Sequence, residues 1–359
     1  MKVLIITSNI VPTGGTERAI SNLANMLADK DVDVSIISVS SLTTQSAYYP
    51  ISSKVEITHL EQPAIPIGVK NKLAWYLKTI KLLRKEIKRR NAKVIIGAGH
   101  NINSLLPFCK GNSQSKIIGC EHIVLKTIPL FSRLLMKTTY RFLDQVVVLS
   151  EQARTQMLCY TSHVSVIPNT LPFFPEQAAF LSSKRIIMVG RLSAEKGYDR
   201  VASIAEKLKL DYPDWHIDIF GNGGMHDELV ALYKNNALDN FITIHPISTN
   251  IEQEYLQSSI CMMTSYSEAM PMVLLEAKAC GLPIIAYNCE GTQRLINDGS
   301  DGYVIDNDSL EDFIMKVESL ISNRTLRFKM GSKGRENCKQ FLPDNIAKLW
   351  INLFETIKD

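Results

Sequence analysis

The stretch TSYSEAMPMVLLEAKACGLP places two carboxylates beside the start of a predicted helix. Pro271 favours the first helical position, where a missing N–H costs nothing. Glu268 precedes the helix and Glu276 lies one turn inside it. The backbone N–H groups from Met270 to Val273 have no acceptor within such a helix and attract phosphate. Carboxylates on both sides of a bound phosphate suit a nucleotide-sugar, which carries hydroxyl groups on its ribose and on its hexose.

This spacing alone is also compatible with a loop acid followed by an acid on a solvated helix face. The wider pattern, Glu-x-x-Pro-x-x-x-x-Glu followed by Ala-x-Ala-x-Gly-x-Pro and an apolar run, resembles the signature of retaining family 4 glycosyltransferases of the GT-B fold. The resemblance implies that Glu268 binds hydroxyls of the donor sugar and that Glu276 binds the ribose. It also implies a donor-binding backbone formed by Ala269, Met270, Pro271, Met272 and Val273, with Ala269 in place of the family's usual glycine.

A second motif carries two cations. After an apolar run that predicts a strand, Arg185–Val189, the chain continues as GRLSAEKG, residues 190–197. A basic loop is compatible with a solvated surface, but the flanking glycines resemble the family motif G-R-x-x-x-x-K-G. Arginine offers a planar fork and lysine a point charge, which together suit a diphosphate. The resemblance implies that Arg191 and Lys196 stabilise the leaving diphosphate.

The first predicted strand, Lys2–Thr7, is followed by GGTER, residues 14–18. Glycine lets a backbone approach a ligand closely, although a tight turn would use the same residues. The sequence resembles the family's glycine loop after its first strand. The resemblance implies that Gly14 and Gly15 face the donor phosphates and that Glu17 lies on the acceptor side.

Three polar residues follow predicted strands in the first half of the chain. His122 comes after the strand 117–120, and His100 with Asn101 comes after the strand 94–98. Ligands of parallel α/β sheets bind at the carboxyl ends of the strands. A single histidine is also a common structural residue. The resemblance implies that His122 lies near the acceptor and the donor phosphate, with His100 and Asn101 on the acceptor side.

Two further loops contribute to the expected donor pocket. The strand 215–220 ends in GNGG, which lacks the G-x-G-x-x-G pattern of a dinucleotide site at the first strand of a domain. The resemblance implies that Gly221 shapes the nucleotide pocket. It also implies that Pro246 and Ile247, at the end of the strand 242–247, bind the base through backbone groups.

The whole chain has 359 residues, enough for two domains with separate cores. Strand and helix patterns alternate in both halves, which predicts an α/β protein with two doubly wound parallel sheets. The resemblance implies the GT-B arrangement, in which two Rossmann-like domains face each other across a cleft. We expect an acceptor-binding domain at 1–170, a nucleotide-sugar-binding domain at 171–342, and a C-terminal helix at about 343–359 that packs back on the first domain.

The net charge of +4 conceals an asymmetry, because residues 1–170 contain 21 Lys+Arg and only 10 Asp+Glu. A basic helix at 70–90 and an apolar–basic helix at 128–142 carry many of these cations. They predict peripheral contact with an anionic membrane surface and a lipid-linked glycan acceptor. The alternative is that both helices pack on the sheet and expose a solvated basic face. No nucleic-acid-binding motif accompanies the cations, so nucleic acid is not an expected partner.

Seven cysteines, none in a C-x-x-C pair, predict reduced and mostly buried thiols in a cytoplasmic protein. No apolar run is long enough to predict a membrane-spanning helix, and the apolar start Val3–Ile6 is too short for a signal sequence. The D-x-D pairs at 29–31, 31–33 and 306–308 precede a strand or begin a helix, so no metal site is predicted. We expect no cofactor.

The sequence therefore predicts a retaining, metal-independent glycosyltransferase. It would transfer a hexose or N-acetylhexosamine from a UDP-sugar, in preference to a GDP-sugar, to a growing glycan of a cell-surface polysaccharide. No enzymic nucleophile is evident, so we expect attack on the same face of the sugar, assisted by the leaving phosphate. We expect the protein to work at the inner face of the plasma membrane. A non-hydrolysing nucleotide-sugar epimerase and a non-catalytic subunit that binds nucleotide-sugar or glycan are the alternatives.

Overall fold

The structure is a computed structural model that describes residues 1–66, 68–111, 113–307 and 309–357. The chain forms two compact units. Unit 1 consists of Met1–Thr170 with Pro343–Asp359, and unit 2 consists of Leu171–Leu342. Each unit is built on one parallel sheet with helices between the strands, which confirms the predicted fold class.

Unit 1 contains a seven-stranded sheet in the order β3-β2-β1-β4-β5-β6-β7. The strands are β1 (Lys2–Thr7), β2 (Asp33–Ser38), β3 (Glu56–His59), β4 (Val94–Ala98), β5 (Lys116–Cys120), β6 (Gln145–Val148) and β7 (Val164–Val166). The central strands are runs of Val and Ile because helices cover both faces of such a sheet. In β1, Ile5 pairs with Ile36 on one side and with Ile96 on the other. All the strands are parallel, so their carboxyl ends lie along one edge.

The described residues of unit 1 form seven α-helices. They are α1 (Gly15–Ala28), α2 (Val69–Arg90), α3 (His100–Asn103), α4 (Leu106–Cys109), α5 (Leu130–Thr139), α6 (Glu151–Met157) and the C-terminal α14 (Pro343–Thr356). Ile346, Trp350 and Phe354 recur at helical spacing and are buried, so α14 packs with one apolar face. An exposed ion pair between Lys30 and Asp344, 2.6 Å apart, joins the turn after α1 to the start of α14.

Unit 2 contains a six-stranded parallel sheet in the order β10-β9-β8-β11-β12-β13. The strands are β8 (Arg185–Val189), β9 (His216–Phe220), β10 (Ile242–His245), β11 (Ile260–Met263), β12 (Ile284–Tyr287) and β13 (Gly302–Ile305). Its helices are α7 (Arg200–Asp211), α8 (His226–Asn235), α9 (Ile251–Leu256), α10 (Met272–Ala279), α11 (Glu290–Leu295), α12 (Leu310–Ser322) and α13 (Arg324–Cys338). Strand order reverses between β8 and β11, which makes this the place where ligands bind in doubly wound sheets.

Several predicted boundaries are wrong. The first helix spans Gly15–Ala28, so the second glycine of GGTER already begins the helix and does not belong to the predicted loop. The segment 128–142 is not one helix, because α5 ends at Thr139 and the chain tightens into a 3₁₀ turn, Tyr140–Phe142. Tyr140 is fully buried in that turn. The segment therefore has a shorter apolar–basic helix than predicted.

Candidate functional site

Three loops meet at the carboxyl ends of β8, β9 and β11 in unit 2. A backbone hydrogen bond joins the loops after β8 and β9, since Leu192 N donates to Asn222 O at 2.9 Å. Gly197 has φ of 64°, a left-handed conformation that favours glycine. A Cβ on Gly197 would also lie 2.2 Å from Thr264 O. The second glycine of the basic motif is therefore required by backbone conformation and by close approach of the neighbouring loop.

Lys196 and Glu268 form an ion pair within these loops. Lys196 Nζ lies 2.5 Å from Glu268 Oε1, and both side chains are partly buried. Ser265 Oγ donates to the same carboxylate oxygen at 3.0 Å. Arg191 is exposed on the same loop as Lys196. The structure thus brings together two predicted site residues that are far apart in sequence and leaves the arginine accessible to a ligand.

α10 begins one residue later than predicted. Pro271 is the N-cap, with φ of −68° and ψ of 108°, and Met272 is the first helical residue. The extended ψ keeps Pro271 outside the helix, where its missing N–H also costs nothing. Leu274 N donates to Pro271 O at 3.1 Å. The N–H groups of Met272 and Val273 therefore precede the intrahelical bonds and have no acceptor inside the helix.

The loop before α10 is braced by the start of α11. Gly291 N donates to Glu268 O at 2.8 Å, and a Cβ on Gly291 would lie 2.6 Å from Pro271 Cδ. Ala269 is half-buried and Met270 is buried in this loop. The close packing fixes the backbone that the sequence assigns to phosphate binding.

Glu276 is the fifth residue of α10 and is completely buried. Glu276 lies near Cys261 of β11. Burial raises the pKa of the Cys261 thiol, and the nearby Glu276 carboxylate raises it further. Both carboxylate oxygens are shielded from solvent. The predicted ribose contact of Glu276 is therefore closed to solvent in this structure, whereas Glu268 is partly exposed.

The ends of β9 and β10 lie side by side. Gly221 N donates to His245 O at 3.1 Å, and the Phe220 and His245 rings stack with centroids 4.6 Å apart. A Cβ on Gly221 would lie 1.9 Å from the carbonyl oxygen of the glycine after β8. Pro246 is exposed and Ile247 is half-buried beyond this stack. The predicted base-binding loop thus begins on a rigid pair of strand ends.

Sequence reasoning missed a polar cluster beneath that loop. Asp218 Oδ1 lies 2.6 Å from His245 Nε2, and Arg185 donates to the other oxygen of Asp218. Arg185 also donates to Glu254 on α9 at 2.8 Å. The alternate positions of β9 carry His216, Asp218 and Phe220 on one face, and this alternation is the signal that was available.

Arg200 is a further cation that sequence reasoning missed. It is the first residue of α7, and its guanidinium lies 3.8 Å from the Tyr266 ring centroid and 4.5 Å from that of Tyr287. Its Nη1 donates to Thr264 O at 3.4 Å. The available signal was its position directly after the basic motif, at the start of a helix that follows β8.

In unit 1 the two glycines belong to the start of α1 and not to the preceding loop. Gly14 is the N-cap with φ of −86°, and Gly15 is the first helical residue. Gly15 is exposed, and an added Cβ would have no atom within 4 Å. Glu17 is half-buried in the first turn. Since neither glycine has a left-handed φ, the backbone itself does not require glycine at Gly15.

His122 and His100 lie at the ends of neighbouring strands in unit 1. β4 and β5 are paired up to Ala98 and Cys120; His100 and Asn101 begin α3 after β4, and His122 follows β5. Burial lowers the pKa of His122 to about 4 and also lowers the pKa of His100. His122 is therefore neutral near pH 7. Its Nδ1 is shielded from solvent and has no hydrogen-bond partner among the described residues.

Apolar side chains of α5 are exposed in unit 1. Leu130, Phe131 and Leu134 are each more than 60% exposed. On α2, Leu73 and Leu77 are also exposed. The lysines of α2 face solvent beside them, at Lys70, Lys72, Lys78, Lys81, Lys85 and Lys88.

Three arginines of α2 are engaged by the protein itself. Arg84 Nε donates to Phe108 O at 2.7 Å. Arg89 pairs with Glu86, and Arg90 pairs with Glu56. The basic surface of α2 is therefore made by its lysines, and it carries less free charge than the sequence predicts.

Within the described ranges, no three His, Cys, Asp or Glu side chains are grouped so that they could hold a metal ion. Asp29 caps α1 and Asp33 begins β2, whereas Asp308 lies outside the described residues. None of the described helices combines the length and the apolar character needed to cross a membrane. All seven cysteines are free thiols, five of them buried.

Two family models match most of the chain. The model described as Glycosyltransferase Family 4 matches residues 13–172, and the model described as Glycosyl transferases group 1 matches residues 172–337. Their junction coincides with the boundary between the two units.

Relatives match along nearly the full length. The chain is 30% identical to the amylovoran biosynthesis glycosyltransferase AmsD of Erwinia amylovora, over 98% of this chain and 99% of the relative. It is 28% identical to an uncharacterized glycosyltransferase of Haemophilus influenzae, over 97% and 98% of the two chains. A TarM variant of S. aureus, solved with fondaparinux, alpha-GlcNAc-glycerol and UDP, superposes with a TM-score of 0.82 at 15% identity, covering 99% and 100% of the chains. This likeness shows the GT-B fold.

Proposed function

Because the chain belongs to the family 4 (group 1) glycosyltransferases, we propose that it transfers a hexose or N-acetylhexosamine from a UDP-sugar to a growing glycan, with retention at the anomeric carbon. The Lys196–Glu268 ion pair beside the start of α10 carries this proposal. It joins a cation for the diphosphate to a carboxylate for the sugar hydroxyls. AmsD acts in amylovoran biosynthesis, which supports a polysaccharide as the product here.

The leaving diphosphate develops charge in the transition state, and preorganised donors stabilise it. Lys196, the exposed Arg191 and the N–H groups of Met272 and Val273 supply these donors. The acceptor hydroxyl attacks the anomeric carbon while the bond to the UDP oxygen breaks. The hydroxyl proton passes to the departing phosphate. Since the cations come from the protein, transfer needs no divalent metal, and we expect full activity in EDTA; loss of activity with rescue by Mn²⁺ or Mg²⁺ would contradict this.

Unit 1 would hold the acceptor through Glu17 on α1 and through His100 and Asn101 at the start of α3. Gly14 and Gly15 would face the donor phosphates, and His122 would lie near the acceptor and the donor phosphate. The exposure of Gly15 supports a ligand at this helix start. A neutral His122 can accept or donate a hydrogen bond without carrying charge to the acceptor. UDP in the complex of TarM supports UDP as the nucleotide.

Incubation with panels of UDP- and GDP-sugars and of glycan acceptors, read by mass spectrometry, tests the proposal. We expect a mass increase of one hexose or N-acetylhexosamine with a UDP-sugar, and no product with the matching GDP-sugar. Conversion of the nucleotide-sugar without any acceptor would indicate an epimerase instead. Nucleotide-sugar binding with no turnover across the panel would indicate a non-catalytic subunit.

We further propose that unit 1 rests on an anionic membrane and uses a lipid-linked acceptor at the inner face of the plasma membrane. The exposed Leu130, Phe131 and Leu134 of α5 and the lysines of α2 support this. Each cation near an anionic leaflet contributes about 1 kcal/mol, and the attraction weakens with salt. Binding should therefore be reversible.

Co-sedimentation with anionic liposomes tests the membrane proposal. Wild-type protein should sediment at low salt and be released at about 0.5 M salt, where the Debye length is only a few ångströms. Replacement of Lys78, Lys81, Lys85 and Lys88 by Gln should keep the protein in solution. Replacement of four exposed lysines of unit 2, Lys207, Lys234, Lys329 and Lys333, is the matched control and should leave sedimentation unchanged. No sedimentation of wild type at low salt would favour a soluble acceptor.

A further inference from the structure

Unit 1 contains a buried carboxyl group directly before His122. Glu121 is 3% exposed and lies between the end of β5 and His122. Asn103 Nδ2 donates to Glu121 Oε1 at 2.6 Å, and the Tyr140 hydroxyl donates to the same oxygen. Both partners are fully buried. A buried carboxylate is costly unless it is paired with a cation or becomes protonated.

Two further oxygens of this cluster are buried without a hydrogen-bond partner among the residues described. Glu121 Oε2 and Asn103 Oδ1 are both shielded from solvent and have no hydrogen-bond partner in the part of the chain that the structure describes. They are the second oxygens of two side chains that are already joined by one hydrogen bond. Two acceptors cannot satisfy each other, whereas a proton on Glu121 Oε2 turns that oxygen into a donor for Asn103. With that proton, the acid and the amide would be joined by two hydrogen bonds in a ring.

The fold makes room for this pair. A Cβ on Gly97 of β4 would lie 2.4 Å from Asn103 Oδ1, and a Cβ on Gly119 of β5 would lie 3.1 Å from Asn103 Cγ. Asn103 Nδ2 also donates to Cys120 O at 2.9 Å. Because both adjacent strands carry glycine here, the Asn103 amide fits against them in the core. Its hydrogen bond to Cys120 O joins it to the end of β5.

The groups that face Glu121 are neutral. They are the backbone N–H of His100, the amide of Asn103 and the hydroxyl of Tyr140, behind which lies the Tyr160 ring, 6.4 Å from that of Tyr140. Cys120 and His122 are its chain neighbours. Burial raises the pKa of Glu121 to about 7, and the hydroxyl of Tyr140, the amide of Asn103 and the backbone N–H of His100 oppose that rise. The carboxyl group is thus mostly neutral below pH 7 and ionises above it.

We propose that Glu121 is a positioning acid, held as a neutral carboxylic acid by Asn103, which fixes the end of β5 and keeps His122 in its working position. Ionisation of Glu121 breaks the acid–amide ring and places a buried negative charge beside His122, which lowers the rate of transfer. The inference rests on the proposed function, because it assumes that His122 contacts the acceptor or the donor phosphate.

The dependence of kcat/KM on pH tests the link to activity. In wild type it should fall above about pH 7, by up to tenfold per pH unit as Glu121 ionises. Glu121→Gln keeps a donor and an acceptor for Asn103 but cannot ionise, so this fall should disappear while activity at pH 6 is kept. Tyr140→Phe removes a hydrogen bond that lowers the pKa of Glu121, so the fall should move to higher pH. A folded Glu121→Gln variant that keeps the alkaline fall, or that is inactive at every pH, would overturn the proposal.

Infrared difference spectra between wild type and Glu121→Gln test the protonation state without any assay of transfer. Wild type should show the carbonyl band of a protonated carboxyl group at pH 6, and the band should vanish above pH 8. Absence of the band at pH 6 would overturn the proposal even for an active enzyme. If the band is present but no sugar is transferred to any acceptor, the proposed function fails while the neutral acid stands. If Glu121→Gln does not fold, the shift caused by Tyr140→Phe decides.

Discussion

The two sheets share a parallel topology, but their strand ends are built differently. In unit 2, backbone groups of three loops lock together, and glycines such as Gly197 and Gly221 allow carbonyl oxygens to approach closely. In unit 1, the ends of β4 and β5 are joined through buried side chains, with Glu121 and Asn103 at the centre. A backbone lock is rigid and suits a fixed diphosphate. A side-chain cluster can change with protonation, which suits the region that we assign to the acceptor.

Removal of the charge that joins two unit 2 loops should have the largest effect. Lys196→Ala deletes the cation that we propose for the leaving diphosphate. It also removes the ion pair with Glu268, whose carboxylate then keeps the hydrogen bond from Ser265. We expect kcat/KM to fall by about 10²-fold or more, as for loss of a transition-state donor. Steady-state kinetics with saturating acceptor measures this. Near wild-type activity in both Lys196→Ala and Arg191→Ala would mean that the diphosphate binds elsewhere.

The close backbone contact between the loops of unit 2 is tested at Gly197. Gly197→Ala forces a left-handed φ on a residue with a Cβ and drives that Cβ into Thr264 O. The cost should be about 2 kcal/mol or more, which lowers the thermal midpoint by roughly 5 °C. Calorimetry of the full chain measures the shift.

Gly224→Ala is the matched control for the same unit. An added Cβ there meets no atom within 4 Å. The thermal midpoint of this variant should stay near that of wild type. Equal shifts in both variants would show that the close approach at Gly197 does not stabilise the loops.

Substitution of Gly15 at the exposed start of α1 should not lower stability, in contrast to substitution of Gly197. Gly15→Ala adds a Cβ where no protein atom lies within 4 Å, and alanine is the better helix former. Stability should therefore be unchanged or slightly higher, while transfer falls by about tenfold if a ligand approaches this backbone. Parallel melting curves and kinetics separate the two readouts. Full activity of a stable Gly15→Ala variant would contradict a ligand-binding role for Gly15.

The sequence was most informative where structure is local. The predicted strands Lys2–Thr7, Val94–Ala98 and Arg185–Val189 match β1, β4 and β8 residue for residue. β3 was missed because EITH is a short, polar and half-exposed edge strand.

Contacts between distant residues explain what sequence reasoning missed in the site. Nothing local in the sequence pairs Lys196 with Glu268 or buries Glu121 against Tyr140, since both contacts depend on how strands are ordered in a sheet. The burial of Glu276 is of the same kind, because a helical acid is ordinarily solvated. The motifs predicted which side chains could bind the donor, and the fold determines which of them are accessible to a ligand.

The stereochemistry of the product is the most direct test of the proposed retaining transfer. A UDP-sugar with an α-linked diphosphate should give an α-linked product, because attack and departure occur on the same face of the sugar. Proton NMR of the product formed by the wild-type enzyme, recorded at early times, reports the anomeric configuration from its coupling constant. An α-linked product would support the proposed retaining transfer. A β-linked product would contradict it.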